Sequence, residues 1–248
     1  MQRFHPLFIV LICLLTVLGV RLAKGVVLVN VPATSNPWLA GTPNGTTDTG
    51  PDGTDVAPDE SPIQVTGFSL TAGLKVTFSA SGQASWDGTD PLFGPDGNQT
   101  VIIHHTEGAL NGIADITAPL SSLIGVFLSS SSPIGSIPPA GFDFSTLVSQ
   151  SQTLLAPALD QPFFIGDGYT SASIPQQFVV PSGASRLFLG VMDGNQWNNN
   201  RGAFSVNVDV PEPQSLLTVG AGMLGLAVYL RRPRGGALAD LSGRNRKR

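Results

Sequence analysis

Residues 193–200, Asp-Gly-Asn-Gln-Trp-Asn-Asn-Asn, place one carboxylate and five amide side chains in eight consecutive positions. Hard cations such as Ca²⁺ take six to eight oxygens from carboxylates, Asn or Gln amides and main-chain carbonyls. Asp193 supplies charge, and Asn199 and Asn200 supply neutral oxygens from the other side of the loop. Gly194 and Gly202 permit backbone angles that other residues resist. The same composition also suits an Asn-rich hairpin turn capped by its own side chains.

Other reactive chemistry is sparse. Nucleophilic catalysis needs a nucleophile, a base and an orienting acid, and no G-x-S-x-G is present. His104 and His105 are adjacent, and adjacent side chains on a strand point to opposite faces, so they do not form a working pair. With Glu107 they make no zincin motif. The expectation is a non-enzyme, with His104 and His105 either at a polar strand end or touching a polar ligand. The run Asp48, Asp52, Asp55, Asp59, Glu60 has calcium-loop ingredients without the regular D-x-D-x-D spacing, and reads as a solvated linker. Asp87, Asp90 and Asp96 read similarly, in a tight loop.

The elements that must hold the loop are strands. Short runs rich in β-branched and aromatic residues recur at 26–31, 63–70, 74–80, 123–128, 163–165, 177–180, 186–191 and 203–210. Val76, Phe78 and Ala80 alternate with Lys75, Thr77 and Ser79; Phe204, Val206 and Val208 alternate with Ser205, Asn207 and Asp209. That is the period of a half-buried strand. The expected fold is all-β, a single β-sandwich over 63–209, with a closed barrel as the alternative. Residues 26–62 form an N-terminal strand followed by an acidic Gly/Pro/Thr-rich loop from 42, and 129–153 read as an insertion.

Both ends read as membrane addresses. Arg3, an apolar stretch over 7–20 and Ala23-Lys24-Gly25 form a signal peptide over 1–25, or else an uncleaved anchor. At the other end Pro211-Glu212-Pro213 precedes an apolar run over 215–230 and then Arg231 and Arg232, with a basic tail over 235–248. Sixteen helical residues span roughly 24 Å, short for a hydrocarbon core, but flanking arginines snorkel. A buried core helix is the alternative, and seven basic residues after 230 oppose it. The sole cysteine, Cys13, lies in the signal peptide, so the exported body has no thiol chemistry. Between 26 and 209 fifteen acids face three basic residues, a net −12 that opposes nucleic-acid binding and suits divalent cations.

Two resemblances follow. The Pro-Glu-Pro, helix and arginine order over 210–234 resembles the PEP-CTERM signal of Gram-negative bacteria. That implies processing by signal peptidase and an exosortase, passage through the inner membrane and a final place on the cell surface or in the matrix. If unprocessed, the chain stays anchored there with its body outside. The 193–204 loop is similar to the calcium loop of the PA-I galactophilic lectin and its galactose-binding-like relatives, matching at Asp193, Trp197, Asn199, Asn200, Gly202 and Phe204. Ala84-Ser85-Trp86 followed by Gly94-Pro95-Asp96-Gly97 matches a second family segment, and 120–128 a third. The loop is one residue shorter than the family's, and the family's sugar-contacting His-x-x-Gln is not reproduced. The resemblance implies a jelly-roll-type sandwich binding Ca²⁺ through Asp193, Asn199, Asn200 and the main-chain carbonyls of Trp86 and Gln196. Trp197, His104 and His105 would face a sugar, Trp197 being alternatively core at a strand end.

The expectation is an exported, calcium-dependent carbohydrate-binding module whose partner is exopolysaccharide or a cell-surface glycan. The alternatives are a structural surface or biofilm-matrix protein stiffened by Ca²⁺, and a secreted hydrolase.

Overall fold

The computed structural model describes residues 24–48, 55–89, 91–106 and 108–211. Nearly all of the expected signal peptide lies outside them, as do Glu212, Pro213, the apolar run 215–230, Arg231 and Arg232. Among the described residues no helix is long and apolar enough to cross a membrane.

The chain runs through β1 (Lys24–Pro32), β2 (Ile63–Val65), β3 (Lys75–Ser85), β4 (Asn98–His105), β5 (Ile116–Leu120) and β6 (Leu123–Leu128). It continues through β7 (Phe142–Asp143), β8 (Leu154–Leu155), β9 (Phe163–Phe164), β10 (Gln177–Val179), β11 (Arg186–Val191) and β12 (Arg201–Pro211). One sheet has the order β1-β12-β3-β10-β8, a second β2-β11-β6-β9, and a third β4-β5-β7. Pairing is antiparallel except for β8 with β10 and β5 with β7. The fold is all-β, as the alternation predicts.

Alternation sets which face is buried. Val76 and Phe78 on β3, and Phe204, Val206 and Val208 on β12, point into the core, while Ser205 and Asn207 face out. Phe127 stacks on Phe163 at 5.2 Å, Phe163 lies 5.1 Å from Phe178, and Phe178 meets Phe78 edge-on at 5.1 Å. These rings tie the first sheet to the second, offset and edge-to-face as ring quadrupoles favour.

Strands at 123–128 and 186–191 lie where the apolar runs place them. The run at 63–70 yields only Ile63–Val65. β4 and β5 are additions. β4 carries few apolar residues and is mostly exposed, whereas β5 is buried along its whole length and contains Pro119, so neither shows a period of two. Within 129–153, Phe144 is buried and Phe142 packs against the core.

The described parts of 42–62 require a correction: residues 42–48 and 55–62 are not a solvated linker, while Asp52 lies outside the described residues. Thr47 bridges Val56, the Asp48 N–H donates to the Asp55 carbonyl at 3.0 Å, and the Ala57 N–H donates to Thr46 at 2.9 Å. The Asn36 N–H donates to the Glu60 carbonyl at 2.8 Å, tying the small hairpin to the end of β1. Asp48 and Asp55 are 5% and 2% exposed. A buried carboxylate needs donors, and here they come from Asn36 and from the main chain of the distant 193–200 loop.

Candidate functional site

β11 and β12 end at the two sides of the 193–200 loop, and each is fixed by a full antiparallel ladder. Met192 and Asp193 follow β11 directly, and both are buried. The loop then reverses through Gln196, which is left-handed (φ 57°, ψ 51°), and closes in a 3₁₀ turn, Trp197–Asn199. Gly202 has φ 93°, whereas Gly194 is not among the positive-φ glycines; the special backbone angle inside the loop falls on Gln196 instead.

Asp193 and Asn200 meet at the base of this loop. Asp193 is 3% exposed; its Oδ1 accepts the Gly194 N–H at 2.6 Å, and its Oδ2 is buried with no hydrogen-bond partner. Asn200 donates from Nδ2 to the Ala33 carbonyl at 3.2 Å, and its Oδ1 is also buried without a partner. Two such oxygens cost free energy unless a cation or proton meets them. Asn199 is exposed and donates to Gln196 Oε1 at 3.3 Å. The Gln196 carbonyl accepts the Asn199 N–H at 3.1 Å, which leaves it one lone pair.

Trp86 stands opposite. Ser85 pairs with Arg201, so the next residue outward on each strand is Trp86 and Asn200. The approach is close: a Cβ at Gly88 would lie 2.9 Å from the Asn199 carbonyl oxygen. The Trp86 side chain is 43% exposed. The structure therefore brings Asp193, Asn199, Asn200, Gln196 and the Trp86 segment together. Among the described residues no three His, Cys, Asp or Glu side chains converge as a metal-ligating group. A set of one carboxylate with amide and main-chain oxygens is nonetheless oxygen-only, and the two orphaned oxygens fit a hard cation.

Trp197 is corrected: it is a core residue and presents no face to a ligand. It is 1% exposed, donates from Nε1 to the Val191 carbonyl at 2.7 Å, and meets Trp38 edge-on at 5.6 Å. His105 is corrected in the same way. Its ring stacks on Trp38 at 3.8 Å, and its Nδ1 lies 3.0 Å from Asp115 Oδ1. His104 points the other way and is exposed, with Nδ1 3.4 Å from Thr117 Oγ1. Sequence reading passed over Asn36 and placed Asp55 in a solvated run, yet both sit under the loop. Their signal was the apolar pair Trp38-Leu39 ahead of the acidic run, since a true linker has no reason to carry a large apolar pair beside it.

Burial is the main force on Asp193: it pushes the carboxyl up to about 6 from 3.8. The nearby Asn200 amide and the Gly194 and Asn195 N–H groups oppose the rise, and the Asp55 charge adds to it. The metal-free folded protein thus holds this proton more tightly than the unfolded chain. Stability rises as pH falls through 6, and the gain is complete below the unfolded value near 4. The shift amounts to roughly 3 kcal/mol. The difference in unfolding free energy between wild type and Asp193→Asn should move by about that much between about pH 7.5 and about pH 4 in EDTA. A difference flat across that range would contradict the assignment.

No curated protein is significantly similar to this chain. A solved structure described as the EclA N-terminal domain, a PllA-like lectin, is similar at 21% identity, covering 74% of this chain and 94% of that chain with a TM-score of 0.31. Residues 209–232 match the family model of the PEP-CTERM protein-sorting motif, and with that motif the chain bears the mark of an exported protein processed at a membrane.

Proposed function

We propose that the body is a non-enzymatic, calcium-dependent carbohydrate-binding module of galactose-binding-like type. It would be exported, cut by signal peptidase and an exosortase, and delivered to the cell surface or biofilm matrix to hold exopolysaccharide. The observation that carries this reading is the pair of buried, unpartnered oxygens, Asp193 Oδ2 and Asn200 Oδ1, at the base of an amide-rich loop. Asp193, Asn199, Asn200 and the Trp86 and Gln196 carbonyls would hold Ca²⁺. When bound, the ion supplies positive charge and free coordination positions for sugar hydroxyls. Exposed groups around the loop (Trp86, Asn198, Asn199 and the half-buried Gln196) form a polar, aromatic-edged lip suited to a saccharide.

A second reading has its own support. With Trp197 and His105 packed into the core, two expected sugar contacts are gone. A cation that only stiffens the loop would need neither. Calorimetric titration of Ca²⁺ into the metal-stripped full chain in detergent, followed by a glycan array with and without Ca²⁺, separates the two. Wild type should bind Ca²⁺ and give Ca²⁺-dependent glycan signal, and Asp193→Ala should lose both, along with the Ca²⁺-dependent rise in melting temperature. Ca²⁺ binding without glycans leaves the stiffening role. An unchanged Ca²⁺ response in Asp193→Ala would sink the site.

A further inference from the structure

We propose that Asp55 is the positioning residue of the cation loop: buried beneath it and oriented by Asn36, its carboxylate fixes the Trp197–Asn199 turn and so sets the affinity of the loop for Ca²⁺. This rests on the calcium reading of that loop.

The short turn begins without a cap of its own, because Gln196, at the N-cap position, makes no side-chain cap hydrogen bond. The first N–H groups of any helical turn lack partners within it. Here a carboxylate from a distant segment takes them: Asp55 Oδ2 accepts the Trp197 N–H at 3.0 Å, and Oδ1 accepts the Asn198 N–H at 3.0 Å. Asp55 thus does from outside what a capping Asp ordinarily does within the chain. Bonds of this kind to a charged acceptor are the stronger class.

Asp55 is itself held. Asn36 Nδ2 donates to Asp55 Oδ2 at 3.3 Å and to Asp48 Oδ2 at 2.6 Å, while Asn36 Oδ1 accepts the Trp38 N–H at 2.9 Å. One amide therefore organises two carboxylates and a second 3₁₀ turn, Pro37–Leu39. The Thr47–Val56 bridge fixes the approach of Asp55, and Asn111 Nδ2 donates to the Trp38 carbonyl at 3.2 Å and the Thr47 carbonyl at 3.3 Å.

Asp55 is 2% exposed, and both of its oxygens are spent on the main chain of the turn above it, so it acts through the loop. Two effects follow. The turn places Asn199 and Asn200 at a fixed distance from Asp193, so the oxygens need not be gathered when the ion arrives. The charge, close enough to act on Asp193, also adds to the field that a divalent cation meets.

The test compares wild type, Asp193→Ala, Asp55→Ala, Asp55→Asn and Asn36→Ala, each as the full chain in detergent. Two probes are used: Ca²⁺ by calorimetry, and Tb³⁺ by its luminescence decay in H₂O and D₂O, which counts bound waters. Asp55→Ala should weaken Ca²⁺ binding about 10–100-fold, the range seen when outer-shell partners of metal ligands are removed. It should also raise the water count on Tb³⁺ as the Asn ligands loosen. Asp55→Asn keeps one acceptor oxygen and should recover part of the loss. Asn36→Ala should shift both readouts in the same direction, several-fold, and serves with Asp55→Asn if Asp55→Ala does not fold. A lower metal-free melting temperature with unchanged Ca²⁺ affinity and hydration would make Asp55 merely structural and overturn the proposal. Wild type binding Ca²⁺, Asp193→Ala failing to, and the Asp55 variants matching wild type would overturn this proposal alone. No Ca²⁺ binding by wild type would overturn the calcium reading and this proposal with it.

Discussion

Trp38→Ala is expected to lower the unfolding free energy by about 3–5 kcal/mol, the usual cost of emptying a buried indole. Trp38 is fully buried and joins three parts of the molecule. Its ring stacks on His105 from β4 and meets Trp197 from the loop edge-on. Its Nε1 donates to the Ala114 carbonyl at 3.2 Å. Truncation leaves a cavity and an orphaned carbonyl together, and those penalties add. For a domain of this size the loss corresponds to roughly 10 °C in melting temperature. Trp38→Phe keeps the stack and loses the Nε1 hydrogen bond, so it should cost about 1–2 kcal/mol. Denaturant unfolding of both variants checks this; equal losses would mean that the stack on His105 contributes nothing.

Gly202→Ala is expected to cost about 2–4 kcal/mol, from left-handed strain plus overpacking, while Gly194→Ala should stay within about 0.5 kcal/mol of wild type. Both glycines flank the same loop, and composition alone treats them alike. At Gly202, φ is 93° and a Cβ would lie 2.2 Å from the Gln83 carbonyl oxygen. Two residues further along the same ladder Gly82, opposite Phe204, is nearly as tight, with a Cβ 2.4 Å from the Ala203 carbonyl oxygen. Backbone cannot step aside as a side-chain tip can, so β3 and β12 must separate beside Asn200. At Gly194 the nearest atom would be an Ile103 methyl at 3.9 Å, ordinary contact. Melting curves of the two variants decide the matter, and equal losses would refute the close approach of β3 and β12 at Gly202.

Strand period and oxygen chemistry were legible in the sequence because both are written in neighbouring residues. β3 and β12 show their buried faces in every second side chain, and Asp193 and Asn200 stand out by type within eight positions. What was not legible depends on partners far along the chain. Trp197 looks like an exposed aromatic in a polar loop until Trp38 is brought against it. Asp55 looks solvated until Asn36 and the Trp197 and Asn198 N–H groups surround it. β5 escaped notice for the opposite reason: burial on both faces erases the alternation that would reveal it.

The pairing of β1 with β12 has a consequence for reach. Lys24 is opposite Pro211, so the chain enters and leaves the described body as close neighbours at one end of the β1-β12 pair of the first sheet. Asn200 precedes the other end of β12, eleven residues away, a span of about 35 Å at strand rise. The 193–200 loop therefore meets its surroundings at the end of β12 away from the exit at Pro211.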